Sequence, residues 1–199
     1  MEEGEILLAI DAFEHGGIPQ RRGAVLALGQ SKDPMGFPYV IKALEDVDLE
    51  VRSNALEALA FFGSRAVETL IKELKKPDQN RARIIEILGT IGDQRCYKVL
   101  RLVLVQAKSF YSRVQAAEAL AKFGESAVDP LIGSLSDPDC YVRLRVIDLL
   151  VEIGNRSTVV HIRRCCFDQS KIVRESAEKA VEQLTTPRKE GLQFVVKED

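Results

Sequence analysis

The chain has 199 residues, of which 46% are hydrophobic and 29% charged, and its net charge is −2. This balance is ordinary for a folded protein and disfavours nucleic acid and anionic membrane as partners, because both attract strongly basic proteins. No apolar run approaches the roughly 18 residues of a membrane span, and the segment Met1–Glu5 is acidic where a secretory signal is basic. We therefore expect a cytoplasmic protein with reduced cysteines.

The first predicted element is a helix over residues 3–15, followed by a break at Gly16 and Gly17. After this break an arginine recurs every 29 to 32 residues, each time at the start of a similar apolar pattern. These residues are Arg21, Arg52, Arg81, Arg113, Arg143 and Arg174. The apolar residues that accompany the arginine fall at i, i+4, i+5 and i+8, which is one face of a helix. A repeat of this length is typical of a stacked solenoid.

Both ends of these first helices carry signals in the sequence. An aspartate precedes several of them and is a good N-cap, because its oxygens accept hydrogen bonds from the free amides of the first turn. These aspartates are Asp48, Asp78 and Asp139. A glycine follows four of the helices, where a left-handed backbone is commonly required. The four are Gly63, Gly92, Gly124 and Gly154. Lys32 occupies this place in the first repeat, so we expect that corner to turn differently.

A second amphipathic helix is predicted after each corner, as in residues 66–74 and 127–135. Together the patterns predict an all-α, right-handed α-solenoid with about five helix pairs over residues 18–168. Single cap helices are expected at residues 3–15 and 171–184, and residues 1–186 would form one repeat domain. The tail, residues 187–199, departs from helical spacing. It could fold back on the final helix, remain disordered or dock on another chain.

The string Asp137-Pro-Asp-Cys-Tyr-Val-Arg143, with second helices such as Ala127-Val-Asp-Pro-Leu-Ile132, resembles the HEAT-like repeats of phycobilisome lyases. The resemblance covers roughly residues 18–184. It implies that the second helices line a concave face and that each arginine bonds the aspartate-bearing turn of a neighbouring unit. On this interpretation Arg52, Arg81, Arg113, Arg143 and Arg174 are structural, as suits a planar guanidinium fork. The rival interpretation is a basic ladder that binds phosphates.

The concave positions implied by the resemblance give a candidate set of partner-binding residues. They are Tyr39, Lys42, Arg65, Lys72, Lys75, Arg95, Lys98, Val99, Leu102, His161 and Arg164. Cations outnumber carboxylates at the concave positions, which indicates an acidic or phosphorylated protein segment as the partner; the alternative is an ordinary solvated face. Arg101 and Arg163 stand where an aliphatic residue usually packs. Either their helices are rotated, or these two arginines reach the groove.

Catalytic and metal chemistry find little support in the sequence. His161 and Cys165 are spaced i, i+4 and could join Cys166 in a partial metal site, but no CxxC pair completes four ligands. The chain has no tryptophan, which argues against the nucleotide-holding groove of HEAT-like DNA glycosylases. We therefore predict no cofactor and no catalytic residue. The expected function is that of a protein-binding scaffold or assembly factor; the alternative is a bilin lyase or lyase subunit that handles a chromophore and an acceptor protein.

Overall fold

The computed structural model describes residues 2–76 and 81–186. Every regular element in these two ranges is helical. The α-helices are α1 (Glu3–His15), α2 (Ile18–Ser31), α3 (Phe37–Ala43), α4 (Leu49–Phe61), α5 (Val67–Leu74), α6 (Arg81–Ile91), α7 (Gln94–Gln106), α8 (Phe110–Ala121), α9 (Val128–Ser134), α10 (Cys140–Ile153), α11 (Val159–Cys165) and α12 (Lys171–Thr185). Short 3-10 helices, Gly63–Ala66, Gly124–Ala127 and Arg156–Thr158, lead into α5, α9 and α11.

The helices form the predicted α-solenoid. Helices α2 to α11 make five consecutive pairs, and α1 and α12 are single helices at the two ends. The even-numbered helices are the first helices of their units, and each packs against the next one in the series, from α2 with α4 to α10 with α12. The odd-numbered second helices pack against the first helices and form a second layer. The predicted N-cap Asp78 and the tail lie outside the part of the chain that the structure describes.

The core follows the apolar spacing of the sequence. In α10, Val142, Val146, Ile147 and Leu150 occupy the i, i+4, i+5 and i+8 positions, and all four are fully buried. The equivalent residues of α4 are buried in the same way. Burial of one such side chain contributes about 1.5–3 kcal/mol. The stacked stripes therefore join into one continuous core along the solenoid.

The helix ends confirm most of the predicted caps and corners. The side chain of Asp48 accepts a hydrogen bond from the Val51 amide at 3.0 Å, and that of Asp139 accepts one from the Tyr141 amide at 2.9 Å. The four predicted corner glycines all have positive φ, between 55° and 78°. Lys32 also has a left-handed backbone, with φ 55°. The prediction that its corner turns differently is wrong, because Lys32 adopts the left-handed backbone that glycine has at the other four corners.

Lys32→Gly should stabilise the protein by about 1 kcal/mol, since a left-handed backbone costs an L-residue about 1–2 kcal/mol and glycine almost nothing. The greater freedom of glycine in the unfolded chain offsets part of the gain. Urea unfolding measures the change. Lys122→Gly is the matched control, because Lys122 ends α8 with an ordinary φ of −64°, and it should destabilise. Equal effects at the two lysines would contradict the strain at Lys32.

Two glycines set how closely neighbouring first helices approach. A Cβ atom on Gly29 would lie 2.5 Å from the Cα atom of Ala58, and one on Gly89 would lie 2.6 Å from the Cβ atom of Ala119. Both distances are far shorter than a van der Waals contact. Helices α2 and α4, and helices α6 and α8, therefore meet backbone against backbone at these points.

Candidate functional site

The recurring arginines join adjacent units. Arg113 donates from Nε and Nη2 to the two carboxylate oxygens of Asp137, both at 2.8 Å. Its Nη1 donates to the carbonyl oxygen of Ala107, in the turn before its own helix, at 2.9 Å. Arg143 repeats the arrangement, with Nε and Nη2 each 2.7 Å from a carboxylate oxygen of Asp168. One guanidinium thus holds its own turn and the next turn together.

The other arginines of the series show parts of the same arrangement. Arg21 forms the two-pronged bond to Asp46, at 2.8 and 3.0 Å. Arg52, Arg81 and Arg174 donate to backbone carbonyl oxygens of the turns that precede their helices. These contacts confirm the structural interpretation of the series. A ladder of free cations for phosphates does not fit Arg21, Arg113 and Arg143, whose guanidinium groups already bind carboxylates.

The arginine–aspartate pairs are largely buried. The side chains of Arg143 and Asp168 are only 5% and 10% exposed. The hydrogen bonds from Arg143 hold the pKa of Asp168 below its usual value, because they stabilise the ionised carboxylate. Asp168 in turn raises the pKa of Arg143. Both groups therefore stay charged and bonded to each other, so their charges are not free to bind a partner.

All eleven predicted binding residues lie on the second helices or on the turns that flank them, and each is exposed or half-buried. Tyr39 and Lys42 lie on α3, whereas His161 and Arg164 lie on α11, so the set runs from the first unit to the fifth, with no member on α9 of the fourth. Arg65 precedes α5, and its guanidinium lies 5.5 Å from the centre of the Phe37 ring. Lys72 and Lys98 are exposed on α5 and α7. The predicted binding residues therefore belong to the second-helix face of the solenoid.

Two of the predicted cations are already paired within the protein. Arg95 donates twice to Asp93 and once each to Glu68 and the carbonyl oxygen of Ser64, at 2.7 to 3.2 Å. These bonds lower the pKa of Asp93 and raise that of Arg95. Lys42 bonds Glu14 at 3.1 Å. The cation excess available to a partner is accordingly smaller than the sequence indicates, and Arg95 serves chiefly to link two units.

The structure brings three predicted residues together around one cavity. Lys75, Val99 and Leu102 line a space of about 310 Å³ between α5 and α7. The rest of its wall comes from Ile71, Leu74, Arg81, Val103, Gln106 and Ala107. The wall is thus mainly aliphatic, with two cations at its edge. We call this space the α5–α7 cavity.

Some residues at this face were missed or left open by sequence reasoning. Arg101 and Arg163 are both exposed, so these arginines reach the second-helix face; the guanidinium of Arg101 lies 5.9 Å from the centre of the Tyr97 ring. Beside the cavity, Leu102 is 54% and Val105 78% exposed. Val105 follows Leu102 by three residues, and that spacing is the signal that could have added it to the set.

Two of the four cysteines have the environment of packed core side chains, whereas Cys140 and Cys166 are half-buried. Cys96 and Cys165 are buried, and burial raises the pKa of Cys96 to about 11 and raises that of Cys165 as well. Within residues 2–76 and 81–186, no three His, Cys, Asp or Glu side chains converge as metal ligands would. The same ranges contain no helix that is long and apolar enough to cross a membrane.

Comparison with known proteins agrees with this geometry. A family model for HEAT repeats matches residues 10–80 and 67–136. The chain belongs to the HEAT-repeat family. Its HEAT repeats are 32% identical over 151 residues to the bilin biosynthesis protein PecE of Mastigocladus laminosus, covering 72% of this chain and 55% of that protein. For PecE of Nostoc sp. strain PCC 7120 the identity is 30% over 151 residues, with 72% and 58% covered.

A solved structure extends the comparison to the fold. The complex of CpcE and CpcF of phycocyanin lyase from Nostoc sp. PCC7120 has a chain that superimposes on this HEAT-repeat protein with a TM-score of 0.60. The match covers 74% of this chain and 99% of that chain, at 20% identity, and so shows a shared fold. The HEAT-repeat chain spans little more than half the length of the two PecE relatives.

Proposed function

We propose that this HEAT-repeat chain is a subunit of the bilin-lyase type, which binds a bilin and a protein partner on its second-helix face. The observation that carries the proposal is the identity of 30–32% over 151 residues to two bilin biosynthesis proteins. This similarity supports the lyase alternative better than a scaffold that handles no chromophore. The HEAT fold alone would not discriminate between a lyase subunit and a scaffold, because one fold serves many functions.

The α5–α7 cavity has the chemistry that an open-chain tetrapyrrole needs. Such a molecule combines flat apolar rings with two propionate groups. Ile71, Val99 and Leu102 offer apolar contact, and the exposed cation Lys75 stands at the same wall to bond a carboxylate. Lys72 and Lys98 lie on the same two helices and are exposed. At about 310 Å³ the cavity accommodates part of a bilin, and the remainder would lie along the exposed Leu102 and Val105.

Adding phycocyanobilin to the purified protein tests the proposal. We expect a shifted absorbance band that saturates with bilin concentration. Lys75→Glu should weaken bilin binding at least tenfold, because the reversed charge at the cavity wall repels the propionates. The matched control reverses one exposed lysine on another helix, Lys171 in α12, and should leave binding unchanged. A bilin spectrum that does not respond to the protein would refute the chromophore function.

The protein partner is a separate part of the proposal. The exposed cations Lys72, Lys98 and Arg164 support an acidic or phosphorylated segment as the partner's contact. In a pull-down with a phycobiliprotein acceptor, a Lys72→Glu and Lys98→Glu double variant should retain less acceptor than the wild type does. Equal retention by both proteins, with unchanged circular dichroism, would show that these lysines do not face the partner.

A further inference from the structure

A groove separates α10 from α12 at the C-terminal end of the solenoid. It consists of two cavities of about 410 and 490 Å³, which share Val151 and Gln183 in their walls and are therefore continuous. The smaller cavity includes Thr186, where the described residues end. The larger one reaches Ile172, in the first turn of α12. The groove thus leads from the end of α12 back to its start.

The chemistry of the groove changes along its length. Near Thr186 and in its middle it is polar, with the carboxylates Glu152 and Asp148 on α10. Asp148 accepts a hydrogen bond from the Ser176 hydroxyl at 3.3 Å, which links the two walls. The cations of the groove are Arg156 near Thr186 and Lys179 in the middle. At the far end Leu144 and Ile172 are apolar, and Ile172 is 42% exposed. Glu175 lies one turn from Ile172 on the same wall and is paired with Lys171 at 3.5 Å.

The chain continues from Thr186 with a segment whose composition follows the same order. Arg188 and Lys189 come first, and the apolar residues Leu192, Phe194, Val195 and Val196 come after Gly191. If the segment follows the groove from Thr186, its two cations would lie beside the carboxylates of the groove, and its apolar residues would lie further on, beside the apolar end. Glu190 has the sign to pair with Lys179.

The reach of the segment fits the length of the groove. The distance from Thr186 back to Ile172 along α12 is about 21 Å, at 1.5 Å per residue. Two or three residues of chain extend about 7–10 Å, enough to bring Arg188 and Lys189 level with Glu152 and Asp148. Six to eight residues extend about 20–27 Å, which brings Leu192 and Phe194 level with Ile172. One extended path therefore brings both the cations and the apolar residues of the segment to groove residues that suit them.

We propose that residues 187–199 bind in the groove between α10 and α12 of their own chain. Bound there, Leu192 and Phe194 cover Ile172 and Leu144, and the segment occupies the last groove between first helices. Solenoids need a solvent-compatible surface at their terminal units. The bound segment supplies part of that surface, and it leaves the second-helix face open.

Photo-crosslinking in the full chain tests this placement. With p-benzoylphenylalanine in place of Phe194, mass spectrometry should find crosslinks within residues 141–148 and 172–179, in a product with the mass of one chain. Ile172→Glu should reduce the yield at least fivefold, because it puts a carboxylate into the apolar end of the groove. Met35→Glu is the matched control, since Met35 is 43% exposed against 42% for Ile172, and should leave the yield unchanged.

Three outcomes would overturn the proposal. Products with the mass of two crosslinked chains would place the segment on a second copy. Crosslinks scattered over the solenoid would show that it has no defined site. An equal yield from the Ile172 and Met35 variants would remove the groove as the binding surface. Both substituted side chains are exposed, and circular dichroism shows whether the variants keep their helices.

Discussion

Arg143→Ala should lower the free energy of unfolding by about 3 kcal/mol, because it removes one partner of a buried ion pair and leaves the other uncompensated. Asp168 would lose both of its guanidinium bonds at 2.7 Å while remaining only 10% exposed. The carbonyl oxygen of Asp137 would lose its bond from Nη1 as well. For a chain of this size the change corresponds to a fall of roughly 6–12 °C in Tm.

Arg145→Ala is the matched control, because it removes the same side chain from the same helix two residues further on. Arg145 bonds Glu118 and Glu152, but it is 34% exposed and both carboxylates are more exposed still. Ion pairs in such surroundings contribute about 0–1 kcal/mol. Thermal unfolding of the two variants measures the difference. Equal Tm values would show that the arginine series does not fasten the units.

Gly29→Ala should destabilise the protein by about 1–3 kcal/mol, the usual cost of forcing an extra methyl group into a packed interface. Helix propensity alone predicts the opposite, since alanine is favoured over glycine within a helix by about 0.8–1 kcal/mol. The contact with Ala58 decides the sign, because the new Cβ atom would lie 2.5 Å from both the Cα and the Cβ of that residue. Helices α2 and α4 would have to move apart.

Gly23→Ala provides the comparison within the same helix. A Cβ atom on Gly23 would meet no atom within 4 Å. Only the helix propensity therefore changes, and the free energy of unfolding should rise by about 0.5–1 kcal/mol. Chemical denaturation of both variants gives the two free energies. A gain in stability at both positions would mean that the helices tolerate a wider separation than the structure shows.

Most of the fold could be predicted because its determinants lie close together in sequence. The spacing of Val142, Val146, Ile147 and Leu150 predicts a buried helix face, and the structure buries all four. The corner glycines and the N-cap aspartates depend on a few consecutive residues, and Asp48 and Asp139 cap as expected. Lys32 was predicted wrongly because its side chain gives no sign of the backbone that its neighbours impose.

The candidate site was less predictable. Helical register identified an exposed face and included Lys75, Val99 and Leu102, which line one cavity. Register could not show that Ile71 and Leu74 complete the wall, since their spacing also suits core residues. It also could not show that the charge of Arg95 is taken up by Asp93 and Glu68. Which charges remain free depends on the distance between side chains of different units.

The sequence by itself determined the helical class, the repeat length and the arginine that marks each unit. These features depend on periods within one helix and on a pattern that recurs from unit to unit. Only the tertiary structure decided that Gly29 must be glycine, that Arg95 is a link between units and that a cavity opens between α5 and α7. The reason is physical: close approach, ion pairing and cavities depend on the packing distance between neighbouring units, and no sequence period encodes that distance.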